Sequence, residues 1–348
     1  MYTILNKRNY ILLAFLGILI ILGASSFLYQ TLNGMGVTGL REPVVWGLYV
    51  VNFTFFLGLG AGVLMYLTVI SIQKGISEEF KFFSSVIAFI SLSLAGVFIL
   101  LDLGRIDRFY YIVIYPHPKS PLFWDFIVLN ALLAMSAVYS YLSFQKIAPF
   151  KFQLLNMPAL FISRVFKKVN DLALRIGSFA ILFLIMELYF ITTKVFTDTA
   201  ARPEWHTPFL GIIFIISALL CGLASLVILK SYCVNTTGAE NNKPFSDLAI
   251  RLLVFLLSVD LIMILLNYGI GRRNSLIQES QSIFSILLFL SLIIGNALPI
   301  FLIMVSRKNK MILDRIVPVL ILAAVLLKSA DIIISAYIGR WIPLAYKI

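Results

Sequence analysis

Four carboxylates stand within or at the ends of long apolar runs of this 348-residue chain: Asp102, Asp125, Glu187 and Asp260. The amides Asn52 and Asn130, the cations Arg105, Lys194 and Lys328, and a further acid, Asp331, accompany them. Side chains of these types take up, hand on and orient protons. Inside a bilayer they are costly, and their presence there marks function by default. Spacing groups several of them. Glu187, Lys194 and Asp198, at i, i+7 and i+11, fall on one helical face. Asp260 and Asn267 share another face. Asp102 and Arg105, and likewise Lys328 and Asp331, are i, i+3 neighbours that are expected to pair, with Ser335 one turn beyond Asp331.

The elements that hold these residues are membrane helices. The chain is 61% hydrophobic with mean hydropathy +0.99, and only 13% of it is charged, against about 25% in a soluble domain. Apolar runs lie near Tyr10–Tyr29, Val45–Ile72, Phe82–Leu103, Leu122–Phe144, Leu172–Phe196, His206–Lys230, Ala249–Tyr268, Ser282–Val305 and Leu313–Ile338. At ~20 residues per span this predicts an all-α integral membrane protein of about nine transmembrane helices, a single polytopic domain over residues 1–348. The first run has the basic start of a signal peptide (Lys7, Arg8) and small residues at Ala24–Ser26. It is nearly long enough to span, so it reads as a retained helix.

Net charge is +12. Lys and Arg concentrate in the loops on the side of the N-terminus, which places that terminus in the cytoplasm and, with an odd helix count, the C-terminus outside. The basic stretch Gln145–Asp171 reads as a linker at headgroup level. In this orientation the charged segment after the third run, LLDLGRIDRFYYIVIYPHPKSPLFWD, faces outward. So do most of the intramembrane polar residues, Asn296 being the nearest exception in the inner half. The pattern predicts a polar cavity open to the outside, with Glu187 and Asp260 at its deep end and no continuation to the cytoplasm. The competing reading, polar groups that glue helices together, accounts for Asp102 and Asp125 better than for the deeper Glu187, Asp260, Lys328 and Asp331. Gly58 and Gly62, in FFLGLGAGVL, form a small-xxx-small pattern that admits a neighbouring helix or a flat ligand.

Several classes are disfavoured. Two cysteines, Cys221 and Cys233, with no C-x-x-C, cannot build a zinc or iron–sulfur site alone. The two histidines, His117 and His206, lie at loop edges, whereas a di-haem anchor needs paired histidines within helices. No basic stripe alternates with exposed aromatics, as nucleic-acid binding requires.

The runs WGLYVVNFTFFLGLGAG (Trp46–Gly62), DLGRIDRF (Asp102–Phe109) and HPKSPLFWD (His117–Asp125), in that order, resemble the NrfD/PsrC family of membrane quinone-reacting subunits of polysulfide reductase-like complexes. The later ARPEWHTPFLGIIFIISAL (Ala201–Leu219) is similar to a longer branch that includes DsrP, HmeB, HybB and the alternative complex III subunits. The resemblance runs from the second to the ninth apolar run. It divides the chain into an extra N-terminal helix (1–40) and an NrfD-like core (41–348). It implies two four-helix bundles, no haem and no metal in this chain, and a quinone site near the outer face, with menaquinone the expected quinone. It further implies an extracytoplasmic, ferredoxin-like iron–sulfur partner among other complex subunits, and a place in the cytoplasmic (inner) membrane. On this reading Asp102, Asp125, Glu187 and Asp260 exchange protons with the quinone. Asn52, Gly58, Gly62, Arg105, Asn130 and His206 bind it, and Arg108 joins Arg105 in organising carboxylates or facing the partner. The sequence departs from the family in two places. Ala61 stands where some relatives carry a histidine, and no final helix is apparent after Trp341. A secondary transporter, with inverted repeats and a midplane site, and a purely structural anchor are the alternatives. Substrate transport would favour the first, and failure to bind quinone the second.

Overall fold

The structure, a computed structural model, describes residues 7–40, 46–72, 76–147, 171–198, 205–237, 243–274, 289–306 and 309–335. Most of the expected linker Gln145–Asp171, the start of the eighth apolar run, residues 201–204 of the ARPEWHTP stretch and the chain beyond Ser335 lie outside these residues. Each of the nine apolar runs supplies a helix: α1 (Lys7–Asn33), α2 (Leu48–Ile72), α3 (Glu78–Asp102), α4 (Pro121–Ile147), α5 (Asp171–Thr197), α6 (Leu210–Thr237), α7 (Lys243–Asn274), α8 (Phe289–Val305) and α9 (Ile312–Ile334). Among the described residues, all but α8 are long and apolar enough to cross a membrane.

Packing follows two closed rings. Helices α2, α3, α4 and α5 each pack on the next, and α5 returns to α2. Helices α6, α7, α8 and α9 do the same, and α9 returns to α6. The expected pair of four-helix bundles is therefore present, joined mainly where α2 lies along α6 and α9. Burial reflects this arrangement: 67% of the α2 span and 72% of the α6 span are buried, against 6% of α1. The seam needs glycine. Gly62 and Gly222 put the α2 and α6 backbones in contact, and a Cβ on Gly62 would collide with the Ala218 carbonyl. At Gly58 the nearest groups are Ala218 and the Tyr189 hydroxyl. The surface opened by these two glycines is thus occupied by α6.

Local chemistry sets the helix ends of the first bundle. Ser77 caps α3, accepting from the Phe80 N–H, with Glu78 and Glu79 in the first turn. Gly104 ends the same helix at φ +65°, a left-handed conformation in which its missing Cβ also makes room for the Met35 side chain. That glycine is the G of DLGR. Trp124 then donates its indole N–H to the Pro118 carbonyl (2.8 Å), tying the HPKSP segment to the first turn of α4.

Between the bundles sits an aromatic cluster. Trp46 stacks on Trp205 with ring centroids 5.1 Å apart, and Phe196 meets both edge-on. The fully buried Trp205 donates to the Ile332 carbonyl (2.8 Å). Ile332 lies in a π-turn, Asp331–Ser335, where the regular α-helical hydrogen-bond register is broken. The W of the EWHTP stretch thus fastens the segment before α6 to α9.

Candidate functional site

Two polar constellations emerge, one in or beside each bundle. The first begins with Tyr49 at the start of α2. Its hydroxyl donates to Gln30 Oε1 on α1 (2.6 Å). The Gln30 amide nitrogen in turn reaches Met35 Sδ (3.0 Å) and, at 3.5 Å, the Leu101 carbonyl at the end of α3. The Asp102 carboxylate, next in sequence, lies within electrostatic range of Tyr49. Its Oδ1 is buried without a hydrogen-bond partner, which is costly unless a ligand or water completes the site. Beside these groups, Ser25, Ser26, Tyr29, Gln30, Val37, Thr38 and Tyr49 line an open groove of about 480 Å³.

The second constellation lies in the second bundle. Lys328 on α9 forms an ion pair with Asp260 Oδ1 on α7 (2.5 Å). Asn296 on α8 donates to Asp260 Oδ2 at a long 3.4 Å. All three are buried: Asn296 is 2% exposed, Asp260 3% and Lys328 6%. A small cavity of about 10 Å³ adjoins them, walled by Leu220, Ile264, Ile321 and Val325 among others.

The family model for NrfD, polysulphide reductase, matches residues 36–339. The chain belongs to the NrfD family. It is 29% identical over 223 residues to a putative dimethyl sulfoxide reductase membrane subunit of Halobacterium salinarum, covering 63% of this chain and 50% of that protein. The chain therefore spans about half the length of that relative. It is 25% identical over 339 residues, 89% of itself and 77% of the relative, to a selenate reductase subunit of Mesobacillus selenatarsenatis. Over 125 residues, 34% of this chain and 31% of the relative, it is 26% identical to an Hdr-like menaquinol oxidoreductase integral membrane subunit of Archaeoglobus fulgidus. The protein is thus a multi-pass membrane protein of the NrfD family, similar to proteins named as reductase subunits.

The fold separates residues that the sequence grouped in one cavity of this NrfD chain. Asp102 and Asp125 belong to the first bundle and Asp260 to the second. Asp125, buried, accepts from Thr192 Oγ1 on α5 (2.7 Å). Glu187 is half-buried on α5, while Lys194 on the same helix and Asp198 just past its end are exposed. Asn52 and Asn130 spend their amide hydrogens on their own helices, donating to the Leu48 and Phe126 carbonyls. Asn52 nevertheless stands on α2 one turn from Tyr49. His206 is exposed beside the buried Trp205.

Two expected pairings turn out differently. Gly104 turns the chain before Arg105, which is exposed and leaves Asp102 Oδ1 without a partner among the described residues. Lys328 makes its ion pair across the bundle, with Asp260 on α7. Sequence reasoning overlooked Gln30, Tyr49 and Thr192. A glutamine near the end of an apolar run, and a tyrosine one turn before Asn52, were the available signals.

Proposed function

We propose that this subunit exchanges electrons between the quinone pool and an iron–sulfur partner on the extracytoplasmic side, binding quinol in the groove between the end of α1 and the start of α2. The observation that carries this reading is the hydrogen-bonded pair Tyr49–Gln30 in the wall of a groove of about 480 Å³, with the partnerless Asp102 Oδ1 buried behind it within electrostatic range of Tyr49. Ligand sites commonly occupy about 300–1,000 Å³, and this groove falls in that range. Family membership supports the reading, as does the relative whose name specifies menaquinol. Menaquinol is accordingly the substrate expected here. The positive-inside pattern supports a cytoplasmic N-terminus and a groove at the outer face of the cytoplasmic membrane.

Quinol oxidation releases two electrons and two protons. Tyr49 orients one quinol oxygen through its hydroxyl, and Gln30 fixes that hydroxyl. Asp102 Oδ1 accepts a proton and passes it to the adjacent outer water layer. The electrons leave through the partner, because this chain holds no redox group of its own in the proposed scheme. Arg105 and Arg108, exposed beyond Gly104, supply cationic surface for that partner.

Asp102→Asn in the assembled complex is expected to lower quinol turnover by about 100-fold or more, the usual contribution of a positioned acid–base group. Gln30→Ala is expected to raise KM with a smaller effect on kcat, because it frees the Tyr49 hydroxyl without removing it. Wild-type kinetics in both variants would remove the groove as the quinol site. Arg105→Ala should leave membrane insertion and subunit assembly unchanged but slow electron delivery to the partner. Equal stopped-flow reduction of the partner's clusters in variant and wild type would assign Arg105 to topology alone.

A further inference from the structure

The end of the second bundle at which α6 finishes and α9 begins takes no part in the quinol chemistry above. The first turn of α9 is a π-turn, Ile312–Ile316, that packs on α6 and carries one acid and one base, Asp314 and Arg315. Leu313 in this turn is buried in the same apolar cluster as Val227 of α6. That anchor leaves Asp314 half-buried and Arg315 exposed. Asn309 steadies the entry to the helix. Its side chain accepts from the Met311 N–H and its carbonyl from the Leu313 N–H, each at 3.2 Å.

Cations gather at this turn. Lys230 near the end of α6, Lys310 just before α9 and Arg315 all lie within electrostatic range of Asp314. One carboxylate cannot balance three positive groups. The Arg315 guanidinium is also held in place: its Cζ stands 5.4 Å from the ring centre of Tyr232 on α6, within reach of a cation–π contact. Stacking uses the flat face of the guanidinium and leaves its N–H edge for an oxyanion. Setting the orientation of the helices requires only charge in the loops. It calls for neither the stacking on Tyr232 nor the convergence on one half-buried acid. One turn beyond Arg315 an exposed apolar strip begins on α9. Val319, Ala323 and Leu326, at i, i+4 and i+7, form it on one helical face.

We infer that Lys230, Lys310 and Arg315 form a binding site for the phosphate of an anionic glycerophospholipid, whose acyl chains lie along the Val319–Leu326 strip of α9. The recognised group is a phosphate oxyanion. Arg315 donates to it from its N–H edge, Tyr232 backs the guanidinium, and the two ammonium groups add attraction. Phosphatidylcholine carries the same phosphate but brings a cation of its own, which the basic cluster repels. Inorganic phosphate offers the charge without the chains and gains nothing from the strip. With the N-terminus in the cytoplasm, alternating spans put this end of α6 and α9 in the cytoplasmic leaflet, whose anionic lipids attract basic clusters.

The test is native mass spectrometry of the whole chain in its complex, released from mixed micelles that hold phosphatidylglycerol and phosphatidylcholine in equal amounts. The expected result is phosphatidylglycerol retained in preference to phosphatidylcholine. Lys310→Gln/Arg315→Gln changes two exposed positions and is expected to weaken that retention by about 30-fold, the effect of two cations near an anionic headgroup. Arg315→Gln alone should weaken it by about 5-fold. Arg251→Gln removes an exposed cation from α7 at the same end of the bundle and should leave retention unchanged. Equal retention of the two lipids by the wild type would overturn the inference, as would undiminished phosphatidylglycerol in the double variant. An equal loss in Arg251→Gln would do the same, because net charge alone would then account for the binding. Inorganic phosphate added in excess should leave the lipid in place, and displacement by it would assign the cluster to free phosphate instead. The measurement needs no quinol turnover, so it stands or falls separately from the groove reading.

Discussion

Lys328→Met alone will destabilise the protein by about 3–5 kcal/mol at neutral pH, the usual cost of removing one partner from a buried ion pair. Asp260 would keep its position between α7 and α9, 3% exposed, with only the long Asn296 contact left. The methionine itself fits: it has about the length of the lysine stem, so no large cavity results. The penalty therefore comes from the uncompensated carboxylate. The double variant Lys328→Met/Asp260→Leu should recover most of the loss, because both charges leave together. Equilibrium unfolding in mixed micelles, or thermal scanning of the purified complex, reads the difference. A single variant as stable as wild type, or a double variant no better than the single, would mean that the pair is not the electrostatic unit described above.

Gly62→Ala will separate the two bundles. The added methyl would meet the Ala218 carbonyl, and the opposite glycine, Gly222, is held against the Gly62 backbone in the same way. Backbone atoms cannot rotate aside as a side-chain tip does, so α2 and α6 must move apart along the seam that joins the bundles. The expected cost is about 3 kcal/mol, at the upper end for overpacking, with a marked fall in the yield of assembled complex. Two controls fix the interpretation. Gly58→Ala meets its nearest atoms at 3.8 Å and 3.9 Å, ordinary contact distances, and Gly96→Ala meets nothing within 4 Å. Both should assemble normally. If all three alanine variants behave alike, the close approach at Gly62 is not what holds the bundles together.

Much of the architecture was legible in the sequence because a bilayer imposes one simple requirement. Each spanning helix needs about 20 apolar residues, and nine runs of that kind announce nine helices. The DLGR and HPKSPLFWD stretches marked the loop between α3 and α4 of the first bundle. Their glycine and tryptophan also have local geometric roles, at Gly104 and Trp124, that chain-neighbour reasoning can reach. The expense of charge in lipid singled out Asp102, Asp125, Asp260 and Lys328 before any helix had been placed.

Partner choice was not legible, because it depends on which helix faces which. The i, i+3 rule offered Lys328 the carboxylate of Asp331. The fold gave it Asp260, 68 residues away, because closing the α6–α9 ring brings α7 and α9 to opposite sides of one cavity. The same rule paired Asp102 with Arg105, but the left-handed turn at Gly104 ends the helix between them and sends the arginine to the surface. Gln30 carried little signal on a helix that is almost wholly exposed, and its role appears only where α1 meets Tyr49 and the end of α3. Periodicity and transfer free energy act along the chain and can be read from it. Ion pairs and orphaned acceptors are decided by distances across helices, and those distances exist only after the bundles have closed.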